Sequence, residues 1–258
     1  MNILDSIIEG VREDLAARRI AFSALQELME QSAPPVSPKF PLEDISIIAE
    51  VKRKSPSKGE LATIADPAKL ALQYQEAGAA AISVLTEERR FNGSLRDLTA
   101  VRKVVSLPIL RKDFMIDEYQ FFEARAYGAD LVLLIVAALS KNQLKDYFDL
   151  TNELGMKALI EVHTHDELED AMAINPEIVG VNSRNLKTLE VDRKAFADLI
   201  PRIPNNLIRV AESGISNRAD VEFAQSVGAN VILVGEALVK AGDPFASMAA
   251  LLGRSIRG

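Results

Sequence analysis

Short aliphatic runs alternate with longer amphipathic ones through most of the chain, and this alternation constrains the fold more than any single residue does. Eight runs read as strands: Ile47–Lys52, Ala80–Thr86, Leu107–Lys112, Asp130–Val136, Lys157–Val162, Ile178–Asn182, Leu207–Glu212 and Val231–Gly235. Four of them follow a Gly that closes a helix, in Gly78-Ala79, Gly128-Ala129, Gly155-Met156 and Gly228-Ala229, so the αβ unit recurs with its own punctuation. Helix starts are also legible. Asp66-Pro67 pairs a capping side chain with the residue that best fits a first turn, and Ser140 with Gln143, like Thr164 with Glu167, has capping-box spacing. Strand, helix, strand in this order implies parallel pairing. Eight such units in 258 residues, without a break in composition, predict one α/β domain over 1–258, a (β/α)8 or TIM barrel. An open doubly wound sheet is the alternative.

Residues 1–46 exceed what a minimal barrel needs. Ile3, Ile7, Val11 and Leu15 recur every four positions, followed by Phe22, Leu25 and Met29, and Pro34-Pro35 and Pro38 close the segment. The spacing predicts an N-terminal extension of one or two amphipathic helices, either a lid under the barrel or a cap near its mouth.

Strands buried on both faces should be almost wholly aliphatic, so charge late in such a strand needs an explanation. Glu50 and Lys52 lie two apart, on one face of the first strand. Lys112 ends the third strand, Glu161 nearly ends the fifth, Asn182 ends the sixth and Glu212 the seventh. All six fall at C-terminal strand ends, where barrel enzymes build their sites. A salt-bridge network sealing the barrel would also use such residues, but it would not favour one end.

The last two strands run into A-E-S-G-I and L-V-G-E-A. Ser213, Gly214, Gly235 and Glu236 could present backbone N–H groups and a hydroxyl to a phosphate there, although tight βα turns require Gly in any case. Arg184 could meet a carboxylate or phosphate bidentately. The loop R-K-S-P-S-K-G at 53–59 adds cations, and His163 and His165 have a spacing that no common metal motif uses.

The 30 basic and 37 acidic residues leave a charge of −7, which disfavours nucleic acid or an anionic membrane as partner. The absence of cysteine excludes disulfides and a thiolate nucleophile. No signal peptide is evident, and the most apolar stretch, Leu131–Leu139, is far short of the roughly 20 residues of a membrane span. The expected location is the cytoplasm.

In order along the chain, I-I-A-E-V-K-R-K-S-P-S, L-T-E-E-R-R-F-N-G-S, P-I-L-R-K-D-F, the strand ending at Glu161, G-V-N-S-R-N-L-K-T-L and V-A-E-S-G-I resemble the indole-3-glycerol-phosphate synthase family of tryptophan biosynthesis. The likeness spans nearly the whole chain, N-terminal extension included. It implies a carboxy-lyase that closes, decarboxylates and dehydrates 1-(2-carboxyphenylamino)-1-deoxyribulose 5-phosphate to indole-3-glycerol phosphate. No metal and no organic cofactor is implied, and the only partner implied is that small phosphorylated substrate. By the same resemblance Lys112 is the general acid, Glu161 the general base, Glu50 and Asn182 supporting polar groups, and Lys52 the holder of substrate charge. Ser213, Gly214, Gly235 and Glu236 fall where the phosphate is held, with any acidic side chain at position 236 turned away from it. Phe91 and Phe114 resemble the walls around the aromatic ring, and Ser55, Arg184 and Glu212 complete the substrate contacts. Lys112 should serve best as an acid if burial and nearby Lys52 lower its pKa. A neighbouring phosphate-binding barrel, phosphoribosylanthranilate isomerase, uses a cysteine base that this chain lacks, and a non-catalytic barrel would lack Lys112 or Glu161.

Overall fold

The computed structural model describes residues 2–57, 59–61, 64–240 and 242–254. Each of the eight aliphatic runs is a strand: β1 (Ser46–Val51), β2 (Ala81–Leu85), β3 (Ile109–Lys112), β4 (Leu131–Ile135), β5 (Lys157–Val162), β6 (Ile178–Asn182), β7 (Ile208–Glu212) and β8 (Val231–Val234). Neighbours in sequence pair in parallel, and β1 pairs with both β2 and β8, which closes the barrel and excludes the open sheet. The boundaries differ from the sequence reading by at most two residues. A two-residue antiparallel ladder, Lys54–Ser55 against Gly59–Glu60, folds back the loop after β1 and was not expected.

The helices are α1 (Ile3–Arg18), α2 (Phe22–Gln31), α3 (Pro67–Glu76), α4 (Leu95–Arg102), α5 (Tyr119–Ala126), α6 (Lys141–Glu153), α7 (His165–Met172), α8 (Lys194–Leu199), α9 (Arg218–Ser226), α10 (Glu236–Lys240) and α11 (Pro244–Leu252). Local chemistry sets their ends. Asp66 accepts from the Lys69 N–H at 3.0 Å with Pro67 in the first turn. Ser140 and Gln143 complete a capping box. The Gly residues ahead of β2, β4, β5 and β8 take left-handed φ values of 75–106°. The next N–H then returns to the helix, as from Ala79 to the Tyr74 carbonyl at 3.0 Å, which is the Schellman closure. At Thr164 the box is only half made: its hydroxyl caps the Glu167 N–H, but the Glu167 carboxylate turns to His163 instead.

Two apolar layers result. Ile47, Ile82, Ile109, Val132, Ile160, Val179, Ala211 and Ile232 face outward into the helices. Ile48, Leu110, Leu133, Leu159, Ile178, Val210 and Leu233 fill the interior. The N-terminal extension touches both ends of the barrel. On α1, Leu4, Ile7 and Val11 are buried against Phe114 and the upper interior, so this helix caps the mouth and is not a lid below. The segment after α2 runs beneath: the Val36 N–H donates to Asp130 just before β4, at 2.7 Å, and Phe40 packs beneath the interior layer. No helix among the described residues is long and apolar enough to cross a membrane.

Candidate active site

Because side chains alternate along a strand, the inward file of each strand can be followed upward in steps of two. Ile48 is followed by Glu50, Leu110 by Lys112, Leu159 by Glu161, Val210 by Glu212, and Ile178 by Gly180 and then Asn182. The files change from aliphatic to polar toward the C-terminal strand ends, where Glu161 pairs with Gly180, Asn182 with Glu212 and Lys112 with Leu85. Above this layer lies a cavity of about 900 Å³, within the range of small-molecule sites. Its lining includes all fourteen residues singled out in the sequence, from Glu50, Lys52 and Ser55 through Phe91, Lys112, Phe114, Glu161, Asn182 and Arg184 to Glu212, Ser213, Gly214, Gly235 and Glu236.

Lys112 is the centre of this layer. Its ammonium lies 3.0 Å from Glu161 Oε2 and 3.2 Å from Glu212 Oε2. Burial alone would pull its pKa down, but Glu161, Glu212 and Glu50 outweigh it and push the pKa well above the usual lysine value. The expectation of a lowered pKa is therefore wrong. The reason is geometric: carboxylates of Glu161, Glu212 and Glu50 act on Lys112 together, while Lys52 is engaged in an ion pair with Glu50.

The two carboxylates beside Lys112 diverge. Burial raises the Glu212 pKa, and neighbouring Glu161 adds to that. For Glu161 burial acts in the same direction, but Lys112 and then His163 more than cancel it and hold the carboxyl below its usual range. Close packing keeps this geometry narrow. A Cβ on Gly180 would lie 2.1 Å from Glu212 Oε1, and one on Gly235 2.7 Å from Glu50 Oε1.

The rim is equally defined. Phe91 and Phe114 approach with ring centroids 6.4 Å apart. Glu87 accepts the N–H groups of Arg90 and Phe91 at 2.7 and 3.0 Å, fixing the loop that carries Phe91. Arg184 bonds the Ser57 hydroxyl at 3.0 Å and the Leu189 carbonyl at 2.9 Å, joining the loops after β1 and β6. Its backbone N–H is held by Asn182 Oδ1 at 3.0 Å. After β7, Ser213 and Gly214 both adopt left-handed φ, 66° and 72°. Such a backbone is costly for a serine and is typical of a turn shaped for a ligand. The Glu236 carboxylate is paired with Lys240 at 2.7 Å, one turn along α10.

One family model, Indole-3-glycerol phosphate synthase, matches residues 4–251. The chain belongs to this family. Relatives with that same name include one from Mycobacterium avium, 54% identical over 97% of this chain and 93% of its own length. Another, from Kineococcus radiotolerans, is 54% identical over 98% and 95%, and one from Rhodococcus opacus is 52% identical over 98% and 95%. Two solved structures share the fold alone: a 3-hexulose-6-phosphate synthase (TM-score 0.63, 16% identity, 81% of this chain and 98% of that one) and the tryptophan synthase complex of Pyrococcus furiosus (TM-score 0.61, 22% identity, 83% and 100%).

Sequence reasoning passed over Glu87 and Ile7, which line the cavity, and set aside His163. It was weighed only as a metal ligand, yet it stands beside Glu161 and Glu167. The available signal was its place two residues after Glu161, which returns it to the same side of the strand end.

Proposed function

We infer that the mouth of the barrel converts 1-(2-carboxyphenylamino)-1-deoxyribulose 5-phosphate into indole-3-glycerol phosphate, carbon dioxide and water, the lyase step of tryptophan biosynthesis that names its family. One observation carries the residue roles: an ammonium, Lys112, lies between two carboxylates of opposed pKa shift at the floor of an aromatic-walled cavity.

Ring closure forms a bond between an aryl carbon and the ketone carbon, and the carbonyl electrons move onto oxygen, which takes a proton from Lys112. Neighbouring carboxylates keep Lys112 in the ammonium form, and donation remains downhill because a developing alkoxide is a far stronger base than an amine. Carbon dioxide leaves next, and its bonding electrons return to the ring system. Solvent returns a proton to Lys112, which then protonates the departing hydroxyl so that it leaves as water, while Glu161 accepts a proton from the substrate. Glu212, biased toward its protonated form, leaves Glu161 as the ionised partner.

Orientation supplies much of the rest. Phe91 and Phe114 clamp the anilino ring. The backbone N–H groups around Ser213, Gly214, Gly235 and Glu236 take the phosphate, with the Glu236 side chain drawn aside by Lys240. Arg184 and Lys52 meet the remaining negative charge, and Ser55, Glu50 and Asn182 fix the neighbouring loop and strand ends. Anchoring both ends of a flexible substrate can lower the barrier by several kcal/mol, of order 7 or more in the best cases.

The test is indole fluorescence on mixing purified protein with the anilino-deoxyribulose phosphate; no signal at micromolar enzyme overturns the reading. Lys112→Met is expected to abolish turnover with ligand affinity nearly unchanged, whereas Arg184→Ala mainly weakens binding. Equal losses of affinity in the two would contradict these roles.

A further inference from the structure

The Lys112–Glu161 pair continues away from the cavity. Glu161 uses Oε2 on Lys112, and its Oε1 faces His163 Nε2 at 3.4 Å. At that distance the two form an ion pair, and neither atom makes a hydrogen bond among the described residues. The second ring nitrogen, Nδ1, lies 3.1 Å from Glu167 Oε2, and the same oxygen accepts the His163 backbone N–H at 2.7 Å. Glu167 sits in the first turn of α7, capped by Thr164, where the helix dipole favours a carboxylate.

A neutral imidazole donates from one nitrogen only and would turn a lone pair on the other carboxylate. Facing carboxylate oxygens on both sides, His163 meets both only as an imidazolium. Burial opposes that charge, but Glu161 and Glu167 outweigh it and push the pKa up to about 10.

Charge counting gives the imidazolium its consequence. Lys112 alone would have to serve two buried carboxylates, Glu161 and Glu212, and one of them must then keep a proton. A cation on the far side of Glu161 decides which one. We propose that His163 is a positioning residue of the reaction: it keeps Glu161 ionised and aimed at Lys112, and Glu167 in turn holds the imidazolium. This rests on the reading of Glu161 as the base. The groups that face this pair are Lys112 on β3, Glu212 on β7 and Glu167 on α7.

His163→Gln leaves a donor near Glu161 but removes the charge. It is expected to lower kcat about tenfold, leave KM within about twofold, and move the acid limb of kcat/KM upward by about one pH unit. The sign follows from Glu161: without the cation its pKa rises, so falling pH protonates it sooner. Glu167→Gln should move the limb the same way by less, and it serves alone if His163→Gln does not fold. The chain has two histidines, so the NMR signal lost in the variant identifies His163, which should remain an imidazolium at pH 8 in the wild type. Inactive wild-type protein overturns the synthase reading. Active wild type, an inactive Glu161→Gln and an unmoved acid limb in both His163→Gln and Glu167→Gln overturn this inference alone, as does a His163 signal that titrates below pH 7.

Discussion

Gly180 stands where the layer of charges leaves no room for a side chain. An added Cβ would fall 2.1 Å from Glu212 Oε1 and 3.1 Å from the nearest Leu159 methyl. The carboxylate is the softer neighbour, so it would swing away from Lys112 while the strands stayed paired. Gly180→Ala is therefore expected to fold with a stability loss of about 1 kcal/mol but to lose at least tenfold in kcat. Thermal melts and initial rates check this, and an unchanged kcat would show that Glu212 does not need its present position. Glycine here provides space and not conformational freedom, since its φ is not among the left-handed ones.

At the scale of an element, β3 carries Arg111 and Lys112 side by side and sends them opposite ways. Lys112 enters the cavity, while Arg111 is wholly buried on the outer face. There its guanidinium bonds Asp113 at 3.0 Å, Glu123 at 2.8 Å, the Thr86 hydroxyl at 3.1 Å and the Gln120 carbonyl at 3.0 Å. Glu123 also accepts two bonds from Arg18 at 3.0 Å, so this network ties β3 through α5 to α1. Arg111→Met would take the buried cation from Asp113 and leave Glu123 with Arg18 alone, and should cost about 3–5 kcal/mol, read from urea unfolding. A loss under 1 kcal/mol would mean that the network contributes little. The sequence does not distinguish the two cations, because both faces of a barrel strand are apolar and period two alone leaves the inner face unassigned.

At the scale of the molecule, the N-terminal extension links the two ends of the barrel. Ile7 on α1 lines the cavity, and Phe40 packs against the interior from below. Ends of different function should respond differently. Ile7→Ala is expected to raise KM severalfold with kcat nearly constant. Phe40→Ala should destabilise the fold by about 3 kcal/mol and leave kcat/KM unchanged at temperatures where the protein stays folded. Steady-state kinetics beside denaturant melts separate the two, and a rise in KM for Phe40→Ala would contradict this division.

Period-two alternation, Schellman glycines and caps are local signals. By themselves they determined the eight strands, their parallel order and the collection of Glu50, Lys52, Lys112, Glu161, Asn182 and Glu212 at one end of the barrel. Only tertiary structure decided that Lys52 pairs with Glu50, that Lys112 is raised and not lowered, that α1 covers the mouth, and that His163 backs Glu161. A pKa and an ion pair depend on groups about 3 Å apart in space. Lys112, Glu161 and Glu212 come from β3, β5 and β7, and only closure of the barrel brings them together.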